Sequence, residues 1–195
     1  MRTLLLLLVL AFFTSRSANI SDEILAVNSL LFQFFFIFSY FADGFAFAGE
    51  ALTGKAKGAG DRSMLRLTVR HLFNWGWGAS ILFGLVFFVA LKPLLWIMTD
   101  NATLIHIAYE YRYWIILLPL VSGAAFIWDG IYIGVTASKA MRNTMIIASV
   151  LIFLPSYYLT IQSFGNHALW FSLHLFMISR GILMWIMAKR AVFQA

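Results

Sequence analysis

Three carboxylates fall where the residues around them are those of a hydrocarbon interior. Asp129 interrupts the apolar stretch from Ile105 to Val135, and Asp43 and Glu50 stand seven residues apart in Tyr-Phe-Ala-Asp-Gly-Phe-Ala-Phe-Ala-Gly-Glu-Ala-Leu-Thr-Gly. An ionisable side chain at the centre of a bilayer costs about 2.5–3.5 kcal/mol even on a lenient insertion scale, so a chain that keeps one uses it to handle ions, protons or substrate. At about 100° per residue, the seven-residue spacing returns to the same helix face roughly 10.5 Å further on, so Asp43 and Glu50 look into one groove. Ala42, Ala46, Ala48, Gly49 and Ala51 surround them, and such small residues let a second helix approach closely. A low dielectric favours the neutral form of a carboxyl group, which suits it to load and release a proton; a Na⁺ site would use the same oxygens.

Counting ~1.5 Å per residue from the nearest basic segments puts Asp129 ~15 Å, Asp43 ~18 Å and Glu50 ~7 Å from one surface. Arg180, nine residues before Lys189, has a depth compatible with an ion pair to Glu50. Asp43 has no basic residue within reach along its own helix, so its purely structural role would be a hydrogen bond to backbone or hydroxyl. Phe45, Phe47, Trp128 and Tyr132 neighbour the acids and are candidates to line a pocket for flat apolar cations, with ordinary packing as the competing reading. His71 and His106 lie near span ends, His167 falls in a loop and His174 has no paired ligand at i+4, so no metal site is expected. No Gly-rich phosphate loop, Ser/His/Asp set or metal-ligand cluster is present, which argues against an enzyme. The absence of cysteine removes thiolate and disulfide chemistry.

The elements that must position these acids are helices in a membrane. Of the 195 residues, 62% are hydrophobic and 11% charged, with a mean hydropathy of +0.87, far from the soluble norm of about a quarter charged. Hydropathy and loop punctuation predict six spans over approximately residues 1–17, 24–53, 67–97, 103–137, 144–164 and 168–188, an all-α integral membrane bundle filling residues 1–195 as one unit. The intervening breaks are Arg16–Glu23, Gly54–Arg66, Met98–Ala102, Ser138–Asn143 and Gln162–His167. Pro119 and Pro155 fall within the fourth and fifth spans and should bend them. The twenty Phe and seven Trp are expected mainly at interfacial belts and on lipid-facing surfaces.

Ten of the fourteen basic residues (Arg2, Lys55, Lys57, Arg62, Arg66, Arg70, Lys139, Arg142, Lys189 and Arg190) fall on one side of the alternating loops. That side is cytoplasmic by the positive-inside rule, with both termini inside. This placement explains the pI of about 9.8 without nucleic acid. Residues 1–17 also have the outline of a secretory signal peptide, although Arg16 interrupts the small residues of its cleavage region.

On these residues the chain resembles the C-terminal six-helix lobe of a multidrug and toxic compound extrusion (MATE) transporter, nearest the DinF-like branch. The resemblance rests on Asp-Gly-Phe-Ala-Phe-Ala-Gly-Glu-Ala-Leu-Thr-Gly at 43–54 with Gly-Ala-Gly-Asp at 58–61, and on Ile-Trp-Asp-Gly-Ile-Tyr-Ile-Gly at 127–134 with Ala-Ser-Lys-Ala-Met-Arg at 137–142. It implies an antiporter lobe in the plasma (bacterial inner) membrane that exports drugs or organic cations by alternating access in exchange for H⁺ or Na⁺, with no other cofactor. Asp129 matches the acidic residue of the family's fourth helix in this lobe, and Asp43 and Glu50 the acidic pattern of the second. Such transporters have twelve helices in two lobes. The six here would work with an N-terminal lobe or a second chain, or else form a truncated, transport-incompetent or structural half.

Overall fold

The computed structural model describes residues 2–194, with side chains from Thr3; Met1, the expected start of the first span, and the side chain of Arg2, part of the charge bias, lie outside the described residues. Among the described residues there is no strand. The helices are α1 (Arg2–Ala18), α2 (Asp22–Gly58), α3 (Arg62–Met98), α4 (Ala102–Glu110), α5 (Arg112–Gly134), α6 (Ser138–Ile146), α7 (Leu154–Phe164) and α8 (Asn166–Ala191), and a π-helical segment, Ile147–Phe153, joins α6 to α7. Hydrocarbon offers a peptide group no partner, and a helix satisfies its own backbone. Five stretches are long and apolar enough to cross a membrane: α2, α3, α5, the continuous run Ser138–Phe164, and α8. The 17-residue α1 is shorter, so the expected six spans become five plus one shorter apolar helix.

The expected loops are mostly helix. Lys55 and Lys57 extend α2 to Gly58, where cations suit the carbonyl end of the helix. Asp61 then starts α3 by accepting from Met64 N at 2.8 Å, so the predicted Gly54–Arg66 break shrinks to residues 59–61. Gly60, at φ +68°, turns the chain. Ser138–Asn143, expected as a loop, is the beginning of α6. The predicted fourth span, 103–137, is two helices separated at Tyr111. At this break the first residue of α5, Arg112, turns back and donates from Nη1 to Tyr109 O at 3.1 Å, capping the end of α4. Pro119 lies within α5, and Pro155 is the second residue of α7, one residue past the end of the π-helical turn. Lacking an N–H, Pro155 cannot take the carbonyl four residues back, and the preceding turn is widened.

α5 is the central helix, with α2, α3 and α8 packed around it. Ala46 meets Gly130 while Glu50 and Thr53 meet Gly134, so α2 and α5 run parallel. Ser80 against Gly123 and Gly76 against Ile127 make α3 antiparallel to α5. α8 is parallel to α5, since Trp114 meets His174 and Tyr132 meets Met184. A Cβ on Gly130 would strike the Ala46 backbone, and one on Gly134 would strike Glu50 O and Thr53 Oγ1. Bare backbone at these positions is what lets α2 and α5 approach closely enough to share a polar site. Near the starts of α2 and α8 a second polar cluster holds the bundle. Asn28 Nδ2 donates to Ser17 Oγ and to Asn166 Oδ1 at 2.7 Å each, and Trp170 Nε1 donates to Asn28 Oδ1 at 2.9 Å. Several phenylalanines expected at lipid-facing positions, including Phe13, Phe34, Phe38 and Phe153, instead fill the core.

Candidate functional site

The parallel contact of α2 with α5, closed on one side by α1, leaves a groove of about 250 Å³ lined by Asp43, Phe47, Glu50, Phe126 and Asp129, among others. The helical phase explains why Asp43 and Glu50 share it: two turns of α2 bring both to the face that meets α5. Asp43 and Glu50 are half-buried and Asp129 is 6% exposed. Because Ala46 is level with Gly130 and Glu50 with Gly134, the carboxylates follow the order Glu50, Asp129, Asp43 away from the basic end of the bundle. Asp129 stands five residues before the end of α5 at Gly134, about 7.5 Å along the axis. The ~15 Å counted from Lys139 is an overestimate, because Val135 to Ala137 form a turn. At that turn Lys57 Nζ donates to Val135 O at 2.7 Å, tying the end of α2 to the end of α5.

Arg180 is paired, but not with Glu50. Its Nη2 donates to Asp129 Oδ2 at 2.7 Å, with the guanidinium 1% and the carboxylate 8% exposed. α8 touches α2 near their starts, through Asn28, Asn166 and Trp170, but at the level of Arg180 it packs on α5, with Gly181 against Ala124 and the guanidinium on Asp129. The remaining guanidinium surroundings are soft: Nη1 lies 3.4 Å from Met177 Sδ, and Cζ lies 5.4 Å from the Phe176 ring centre. Arg180 Nε has no hydrogen-bond partner among the described residues. A buried pair of this kind is held by mutual attraction in low dielectric, and removing either partner strands a charge.

Of the four aromatics expected to line a substrate site, Phe47 lines the acid-bearing groove, 70% exposed, while Phe45 faces a small pocket between α2, α3 and α5. Trp128 and Tyr132 belong elsewhere. Trp128 packs edge-on to Phe73 with ring centres 5.0 Å apart, beside a different groove between α3 and α8. Tyr132 is fully buried and its hydroxyl donates to Met184 O at 2.6 Å. Adjacency in sequence is misleading here, because Trp128 and Asp129 diverge by about 100° around the helix. Asn28 and Lys57 escaped the sequence reading as site-forming residues; the signal for Asn28 was a lone amide beside an apolar run with Ser17 and Asn166 near other helix ends. His174 is buried, with Nδ1 2.9 Å from Trp170 O and Nε2 3.0 Å from Trp114 O, a link between α5 and α8. No group of residues able to hold a metal occurs among the described residues.

A helical membrane bundle with a carboxylate groove against its central helix, one acid held by a buried arginine, is the class of protein that these features define. The family model MatE matches residues 1–159, and the chain belongs to that family, whose members are membrane transporters and not enzymes. It is similar to DNA damage-inducible protein F of Escherichia coli (strain K12), 34% identical over 182 residues, covering 93% of this chain and 39% of that protein. It is also similar to Protein DETOXIFICATION 44, chloroplastic, of Arabidopsis thaliana, 23% identical over 181 residues, covering 92% of this chain and 34% of that protein. The chain thus spans well under half the length of these curated relatives. No solved structure matches it.

Proposed function

We propose that this chain is the cation-coupled half of an antiporter that exports drugs or organic cations, exchanging them for H⁺ or Na⁺ by alternating access. The reading rests on one observation above the rest: Asp43, Glu50 and Asp129 open into a single groove while Asp129 is held from behind by Arg180. Glu50 and Asp43 attract a cation into the groove, and at Asp129 it competes with the guanidinium. A proton or Na⁺ that neutralises Asp129 weakens the hold of α5 on α8, and the return of Arg180 expels it. Coupling of this form requires the cation to bind the two arrangements differently, and the exchange of ion-pair partner supplies that difference. The bundle is a six-helix lobe with α1 as its first helix, both termini cytoplasmic, in a bacterial inner membrane. The other half of the pathway comes from a further six-helix lobe, in the same longer protein or in a second chain.

The test is reconstitution in liposomes, with and without an N-terminal lobe, following uptake or release of ethidium under an imposed Na⁺ or H⁺ gradient. Gradient-driven movement that needs both lobes supports the proposal. A second reading is a transport-incompetent or structural half. It predicts no gradient-driven movement with any added lobe.

A further inference from the structure

On the opposite side of α5 from the acids lies a second, larger groove, of about 700 Å³. It exists because α3 and α8 both pack on α5 and hardly touch one another. Its floor is low: Gly181 packs against Ala124, where a Cβ would sit 3.3 Å from the Ala124 Cβ. Its walls are aromatic, with Trp77 at 41% and Trp185 at 68% exposure. The rest of the lining, aliphatic side chains with Phe73, Trp128 and Phe193, is wholly apolar and fit for hydrocarbon chains.

One end of this groove is cationic. Arg66 lies three residues before Val69 and seven before Phe73, and Arg70 three before Phe73 and seven before Trp77, so both extend the α3 stripe that lines the groove. Lys189 stands four residues after Trp185 and seven after Ile182, extending the α8 stripe in the same direction. α3 and α8 are antiparallel, so the start of one and the end of the other bring these charges to the same end. Phe193 lines both this groove and an adjoining small pocket that contains Arg62. The nearby acid, Asp61, is engaged with Met64 N and the Ser63 hydroxyl. Arg66, Arg70 and Lys189 are exposed. Tryptophan walls with cations at one mouth match an amphiphile with two features, apolar chains and an anionic head.

We infer that the α3–α8 groove is a binding site for an anionic phospholipid, its acyl chains lying over Ala124 and Gly181 between Trp77 and Trp185 and its phosphate at Arg66, Arg70 and Lys189. The site is separate from the carboxylate groove and independent of the antiport reading. The occupant is a lipid of the leaflet on the basic side, because Arg66, Arg70 and Lys189 cluster at that end.

The test uses the purified chain in detergent, with native mass spectrometry and thermal melts in the presence of phosphatidylglycerol or phosphatidylcholine of identical acyl chains. Phosphatidylglycerol should be retained over phosphatidylcholine by roughly tenfold or more and should raise the melting midpoint. The variant Arg66→Gln/Arg70→Gln/Lys189→Gln should lose that preference while melting as the wild type does without lipid. Trp185→Ala, at an exposed position, should weaken both lipids alike. Equal retention of the two lipids, or an undiminished preference in the triple variant, overturns the proposal. So does protection by glycerol phosphate equal to that by the lipid, which would make this a phosphate site. Efficient self-crosslinking of a Trp185→Cys variant in a bilayer would place a second copy of the chain in the groove and equally overturn it.

Discussion

Arg180 on α8 donates to Asp129 on α5 at 2.7 Å, on the central helix of the bundle, while Asp129 also borders the groove that holds Asp43 and Glu50. One carboxylate therefore faces a fixed cation on one side and a cation path on the other. Arg180→Met removes the cation from this buried ion pair and should lower stability by about 3–5 kcal/mol. Asp129→Asn/Arg180→Met removes both charges and should recover most of that loss. Unfolding of the purified variants in detergent measures both, and equal stability of the single and double variants would show that the pair does not hold α5 to α8.

Gly130 and Gly134 set the distance between the two acid-bearing helices. Gly130→Leu drives a side chain into the backbone of Ala46, and Gly134→Val drives one into Glu50 and Thr53. Each should lower stability by more than the about 1–3 kcal/mol of ordinary overpacking, because the opposing atoms are largely backbone. Gly44→Ala and Gly78→Ala, whose added Cβ meets nothing within 4 Å, are the controls and should melt within a degree or two of wild type.

Much of this was legible in the sequence, and the failures have physical causes. Apolar length marked the helices, and the seven-residue spacing placed Asp43 and Glu50 on one face. Boundaries slipped where Lys, Ala and Ser residues allowed helix to continue past the expected interface, as at Lys55–Gly58 and Ser138–Asn143. The split at Tyr111 is marked by a local cap, Arg112 turning back onto Tyr109 O, which hydropathy does not encode. The partner of Arg180 differs from the expected Glu50 because depth along a helix says nothing about which helices are neighbours; at that level α8 meets α5 and Asp129. Trp128 was grouped with Asp129 by adjacency, whereas a helix sends neighbouring residues to different grooves.

Asp61, at the surface start of α3, has its carboxyl held below the usual range, first by the hydrogen bond from Met64 N and next by that from the Ser63 hydroxyl. A depressed folded value means the carboxylate stabilises the native state above the ordinary Asp pKa of about 3.9, and this contribution is lost as pH falls through the lower folded value. Asp61→Ala should therefore lower the melting midpoint at neutral pH and converge with wild type in strong acid. A difference between the two that persists undiminished at pH 2 would contradict this.

Topology follows the basic residues. With no native cysteine, single cysteines at Gly58 and Ala140 report cleanly, and both should resist an impermeant maleimide added to intact cells and react once the membrane is opened. Labelling of either site in intact cells would reverse the assigned orientation.

The central claim is that Asp129 carries the coupling cation. Its most direct test is the neutral pair Asp129→Asn/Arg180→Met in a complete two-lobe assembly in liposomes, because it keeps the charge balance of the bundle while removing the titratable group. Uphill ethidium movement under a Na⁺ or H⁺ gradient should disappear, while membrane insertion and melting remain near wild type. Uphill movement with unchanged Na⁺ and pH dependence would show that Asp129 and Arg180 only hold the bundle together.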